Sequence, residues 1–162
     1  MRNSKDRVRI YFAAPLFSEA ERVFNLRLTE KLEAKGYQVF LPQRDGVELK
    51  KPPYNEMPNL ELQQTIFETD RDKVFEADIF LFVLDGRVPD EGGCLELGLA
   101  YGQRHFLHQD KLLIGLHTDM RSAFPAGKLN AMIAGALDHT MNNEEVVIAR
   151  IEAYRDARRS RQ

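Results

Sequence analysis

The sequence is short of most features that would assign it to a specialised class. It has a single cysteine, Cys94, so no disulfide can form within the chain. Its four histidines (105, 108, 117 and 139) and that cysteine lack the tight spacing of a zinc site. Neither charge sign dominates: the net charge is −2 and the pI is near 6.1. That balance excludes a general attraction to nucleic acid or to an anionic membrane. No apolar run approaches the roughly 18 residues of a membrane span. The opening MRNSKDRVRI has no apolar core of a signal peptide. Neither a P-loop nor a G-x-G-x-x-G turn occurs, so the usual phosphate cradles are missing. A cytoplasmic protein without metal, nucleic-acid or membrane partners is expected.

What is present is an ordinary globular composition, 43% hydrophobic and 30% charged over 162 residues, which fits one domain spanning 1–162. Short apolar, β-rich runs alternate with helical patterns. VRIYFAA (8–14), YQVFL (37–41), DIFLFVL (78–84) and KLLIGL (111–116) read as strands, with a weak fifth near 137–140. Ser18 and Glu21 form a capping-box pattern for a first helix ending at Gly36. Residues 42–58 hold four prolines and predict a long loop. A helix follows over about 60–77, another contains Glu96, and a short one lies near 128–136. Asn142 and Glu145 suggest the start of a last helix, which runs into a basic tail, RDARRSRQ (155–162). The tail reads as a solvated helix end rather than an RNA-binding arm. Strands apolar on both faces, alternating with helices, predict a three-layer α/β domain with a doubly wound, parallel five-stranded sheet in flavodoxin-like order 2-1-3-4-5. Ligands then bind beyond the strand ends near 13–17, 41–45, 85–93 and 116–120.

Three carboxylates stand out. Glu96 lies in PDEGGCLELGLAYG (89–102), an apolar, glycine-rich helical run where a carboxylate is costly unless paired, capped or used. With Gly93 as N-cap, Glu96 would sit at N3 as a cap. The same position in the ligand crevice would let the helix dipole keep it ionised, suited to nucleophilic attack. Glycines such as Gly92 allow a ligand to approach the backbone. Asp70 falls on the apolar stripe Leu62–Ile66–Val74–Ala77. It is either a buried Asp paired with a lysine or arginine, or a general acid whose pKa burial raises. Asp90 and Glu91 precede the Glu96 helix, where acidic residues cap or solvate, and they crowd negative charge at the crevice mouth. Arg44 and Arg87 are the nearby cations. Cys94, close to Glu96, suggests sensitivity to thiol reagents.

From RIYFAAPLF to NAMIAGALD the sequence resembles the nucleoside 2-deoxyribosyltransferases. The most specific stretch, Asp90-Glu-Gly92-Gly-Cys-Leu-Glu96-Leu-Gly98-Leu-Ala100, is similar to the family's D-x-G-x-x-x-E-x-G-x-A segment. The resemblance implies that Glu96 is the nucleophile and that Asp90 contacts the sugar's 5′-hydroxyl. It places the preceding helix's acidic residue on Asp70, and the first-strand tyrosine and nearby aromatic on Tyr11 and Phe17. Gln43 corresponds to a base-contacting residue. Asn130 corresponds to an asparagine that completes a neighbouring subunit's site, in a homo-oligomer between dimer and hexamer. The implied activity exchanges the base of 2′-deoxyribonucleosides for a free nucleobase, through a covalent deoxyribosyl-glutamate and with net retention. No metal or organic cofactor is needed. The chain departs from members that end in a site aromatic; its tail is basic and Tyr154 is the nearest tyrosine. Two rivals are an N-glycoside hydrolase of nucleoside 5′-monophosphates on the same fold and a nucleotide-binding module without turnover.

Overall fold

The computed structural model describes residues 7–47, 49, 51–119 and 129–161. Five strands, β1 (Arg9–Ala13), β2 (Gln38–Phe40), β3 (Ile79–Val83), β4 (Leu112–Leu116) and β5 (His139–Met141), form one parallel sheet in the order β2-β1-β3-β4-β5. This is the expected order. Register is set by pairs such as Tyr11 with Phe80 and Phe80 with Leu113. Alternation along the strands feeds two cores. Ile10, Phe12, Leu81 and Ile114 pack against α1 (Glu19–Ala34) and α6 (Glu144–Arg159). Tyr11, Phe80, Phe82 and Leu113 face α3 (Asn59–Glu76), α4 (Glu91–Leu107) and α5 (Ala131–Ala136). β1 and β3 are neighbours whose following connections diverge, so their carboxyl ends open the crevice typical of doubly wound sheets.

The first helix begins as its sequence dictates: Glu21 N–H bonds to the Ser18 hydroxyl, and the Glu21 carboxylate accepts from Ser18 N–H. Elsewhere the boundaries shift. The 42–58 stretch is not one long loop. Pro42–Asp45 forms a short helix, α2, and Tyr54–Glu56 a single 3-10 turn. Pro42 at the first helical position explains why proline starts rather than breaks α2. Asn143, not Asn142, caps the last helix, by accepting from the Glu145 and Val146 N–H groups. Most of the expected basic tail is helical. Arg158 pairs with buried Asp78 at 2.5 Å, Arg155 lies over the Tyr37 ring and Arg161 reaches Asp110 at 3.2 Å. Arg155 and Arg158 are half-buried and help fasten α6 under the amino edge of the sheet, while Arg161 stays largely exposed. The crevice end at Met120 and the start of the 128–136 helix lie partly outside the described residues.

Among the described residues, no helix is long and apolar enough to cross a membrane. No cluster of three or more His, Cys, Asp or Glu among them could hold a metal ion.

Candidate active site

Tyr11 is the central residue of β1, and its side chain points to the α3–α4 face. Its ring is stacked between Phe40 at 5.6 Å and Phe80 at 5.7 Å, and Phe82 meets Phe80 edge-on at 6.2 Å. The two neighbouring strands thus clamp one phenol, which donates a hydrogen bond to Glu96 Oε1 at 2.7 Å. Burial, then the negative charges of Glu96, Asp70 and Asp90, push the Tyr11 phenol far above its ordinary value. It therefore stays a donor throughout the working pH range.

Glu96 does not cap its helix. Asp90, not Gly93, is the N-cap of α4, and its Oδ2 accepts from Gly93 N–H at 2.8 Å. Glu96 is then the sixth helical residue, beyond the reach of the free N–H groups. The expectation that the helix dipole keeps it ionised is also overturned. Burial pushes its carboxyl up to about 7; the Tyr11 hydrogen bond opposes this, while Asp70 and Asp90 add to it. The dipole effect fades beyond the first turn, so desolvation wins.

Asp70 lies on the inward stripe of α3, as its spacing predicts, and is half-buried. Among the described residues it has neither a hydrogen bond nor an ion pair, so the paired-Asp alternative finds no cation there. Burial alone raises it to about 6. The charges of Asp70 and Asp90 both bear on Glu96 and on Tyr11, so these four residues form one electrostatic unit at the crevice.

The remaining sequence candidates make none of these contacts. Phe17 is 75% exposed in the turn after β1. The Gln43 amide is tied at both ends to α1, donating to the Arg22 carbonyl and accepting from Asn25, each at 2.9 Å. Gly92 is exposed in the first turn of α4, beside Asp90 Oδ2. Asn130 caps α5 by accepting from Met132 N–H at 2.9 Å, and it is exposed. Arg44 is held by Glu33 and Asp45, so it does not offset charge at the crevice. Burial and Asp90 raise the Cys94 thiol, which makes it a poor nucleophile at neutral pH rather than a sensitive one.

Sequence reading missed two features. One is the aromatic clamp, although the alternation of IFLFV puts Phe80 and Phe82 on Tyr11's side. The other is Gly93. A Cβ there would lie 2.4 Å from Phe82 Cε2. Only glycine lets the first turn of α4, one turn before Glu96, rest on that ring.

A parallel sheet in this order, carrying a buried tyrosine bonded to a half-buried glutamate and two further carboxylates at the switch point, defines an α/β protein with an acidic crevice. The chain belongs to the nucleoside 2-deoxyribosyltransferase family, whose model matches residues 10–150. No curated protein matches it. Among solved structures it is similar to a conserved protein from Enterococcus faecalis V583, at 24% identity and a TM-score of 0.72, covering 91% of this chain and 98% of that one. It is also similar to a 2-deoxyribosyltransferase from the psychrotolerant bacterium Bacillus psychrosaccharolyticus, at 22% identity and a TM-score of 0.68, covering 87% and 90%. A 2-desoxiribosyltransferase from Leishmania mexicana aligns at 18% identity and a TM-score of 0.59, covering 88% and 95%. At these identities the structures speak for the fold.

Proposed function

We propose that the protein exchanges the base of 2′-deoxyribonucleosides for a free nucleobase, and that Glu96 carries the sugar between the two. The observation that supports this most is the Tyr11–Glu96 bond of 2.7 Å inside the aromatic clamp. It fixes one Glu96 oxygen and leaves the other for C1′ of the sugar. In the first half-reaction the C1′–N bond breaks, a C1′–O bond to Glu96 forms, and Asp70 gives its proton to the departing base. In the second, an incoming base attacks C1′, its proton passes to Asp70, and Glu96 leaves. Two inversions give net retention, as in a retaining glycosidase. Asp90 accepts the 5′-hydroxyl through the oxygen its capping bond leaves free. Phe17 lines the base side, and Asn130 reaches the site of a second copy in a homo-oligomer. The direct test is incubation with 2′-deoxyadenosine and free thymine. Thymidine and adenine should accumulate; unchanged reactants contradict the reading.

The pH dependence follows from the two raised carboxyls. Glu96 must be ionised to attack and Asp70 protonated to donate. Groups at about 7 and about 6 give a bell-shaped kcat/KM profile with its maximum between those values, the limbs belonging to the pair. The competent form is Glu96 charged with Asp70 neutral. Each unit that Glu96 rises above Asp70 cuts that population roughly tenfold. Tyr11→Phe removes the bond that lowers Glu96, worth about 1.5 kcal/mol for a charged acceptor. The alkaline limb should then move up by about one unit while the maximum falls about tenfold. A lower maximum with both limbs unmoved would show that Tyr11 does not tune Glu96.

Asp90 decides between nucleosides and their 5′-monophosphates. A carboxylate beside a phosphate is repulsive, by up to several kcal/mol in a partly desolvated site. Asp90→Ser keeps an N-cap oxygen for Gly93 and removes the charge. The ratio of kcat/KM for 2′-deoxyadenosine 5′-monophosphate over 2′-deoxyadenosine should rise about tenfold or more. An unchanged ratio would remove Asp90 as the discriminating group.

A further inference from the structure

Lys111 stands just before β4, with only 4% of its surface exposed. Its Nζ donates to the Val74 carbonyl and to Gln103 Oε1, each at 2.6 Å, and approaches the Phe75 carbonyl at 3.5 Å. Gln103 Nε2 closes the loop by donating to the Phe75 carbonyl at 3.1 Å. One ammonium and one amide thus join the last turn of α3 to the last turn of α4. Burial and Arg9 lower the ammonium to about 8, against the pull of Asp78, so it keeps its charge at neutral pH. Burying a lysine is costly. The free carbonyls at the end of α3 offset part of that cost.

The tie matters because apolar packing holds α3 weakly. Of its eighteen residues only Val74 is fully buried. Asp70 lies one turn before Val74 on α3, and Glu96 about two turns before Gln103 on α4. Beyond the short link through Ala77 and Asp78 into β3, this tie is what limits how far α3 shifts against α4, and with it the separation of the two carboxyls. We propose that Lys111, through Gln103, is a positioning residue that sets the register of α3 against α4 and hence the placement of Asp70 relative to Glu96. This rests on the reading above of Asp70 as acid and Glu96 as nucleophile, but the geometry can be read without turnover.

Lys111→Met keeps the stem and loses the ammonium. Gln103→Leu breaks the same tie without changing charge and lies near the surface, so it covers the case in which Lys111→Met fails to fold. Carboxyl titration by carbon NMR on the full chain should show Asp70 and Glu96 moving relative to one another by half a unit or more in both variants. In kinetics, each variant should slow cleavage of 2′-deoxyadenosine about tenfold with KM within twofold. Cleavage of 7-methyl-2′-deoxyguanosine, whose base leaves without needing a proton, should change less than twofold. Unmoved carboxyl titrations overturn the proposal, as does equal slowing of both nucleosides, which would mark a general loss of structure. If the parent exchanges no bases while the titrations move in the variants, the positioning role stands and the functional reading falls.

Discussion

Glu96→Ala lowers base exchange by at least about a thousandfold, because the carboxylate that would bond to C1′ is gone and no other group takes its place. Asp70 sits on a different helix and, in the proposed reaction, serves as the proton donor. Asp90 is committed to capping α4 through Gly93 N–H. The isosteric Glu96→Gln is equally inactive and adds a stability readout. The parent carboxyl titrates near 4.5 when unfolded and at about 7 in the fold. Between those values the folded chain binds the extra proton. The favourable contribution is therefore complete below pH 4.5 and is lost as pH rises through 7. Above pH 7 the fold carries a half-buried charge that costs about 1 to 3 kcal/mol. Glutamine carries no such charge and still accepts from Tyr11. Glu96→Gln should be more stable than the parent at pH 8 by about that amount, and no more stable at pH 4. Chemical denaturation at both values checks it. Equal stability at pH 8 would mean that Glu96 is not desolvated, and an active Glu96→Ala would remove it as the nucleophile.

Gly93→Ala gives the second large effect. The added methyl would meet Phe82 Cε2 at 2.4 Å and Cζ at 2.7 Å. Phe82 is fully buried, and its neighbour Phe80 stacks on Tyr11, so the ring cannot yield freely. The first turn of α4 must lift instead. Overpacking of this kind costs about 1–3 kcal/mol. A shift of about 1 Å at a catalytic group costs on the order of a hundredfold in rate. Exchange should fall about a hundredfold with the fold retained. Gly98→Ala, where an added Cβ meets nothing within 4 Å, should stay within a few-fold of the parent. If Gly93→Ala is as active as Gly98→Ala, the contact with Phe82 does not position Glu96.

Much of the fold was legible because its signals are local. The alternation in VRIYFAA, the doubly apolar IFLFV and the Ser18–Glu21 box each state an element without help from the rest of the chain. The helical spacing also picked out Asp70, since a carboxylate on an apolar stripe conflicts with its neighbours. What could not be read depends on distant partners. The start of α4 moved from Gly93 to Asp90 because Asp90 can reach the Gly93 N–H and Pro89 precedes it. That shift carried Glu96 out of the dipole's reach and reversed the expected direction of its pKa. The arginines of the last helix resembled a solvated end until Asp78 and Asp110 came beside them through the fold. Gln43, read by resemblance as a base contact, has its amide taken up by α1.

The proposed exchange depends on a covalent bond between the sugar and Glu96. Incubating the protein with a 2′-deoxy-2′-fluoro-arabinonucleoside slows release of the sugar and allows peptide mass spectrometry of the trapped enzyme. One fluorosugar is expected on the peptide that contains Glu96, absent in Glu96→Gln and released when a free base is added. A label on another residue, or an enzyme that turns over without one, would contradict it.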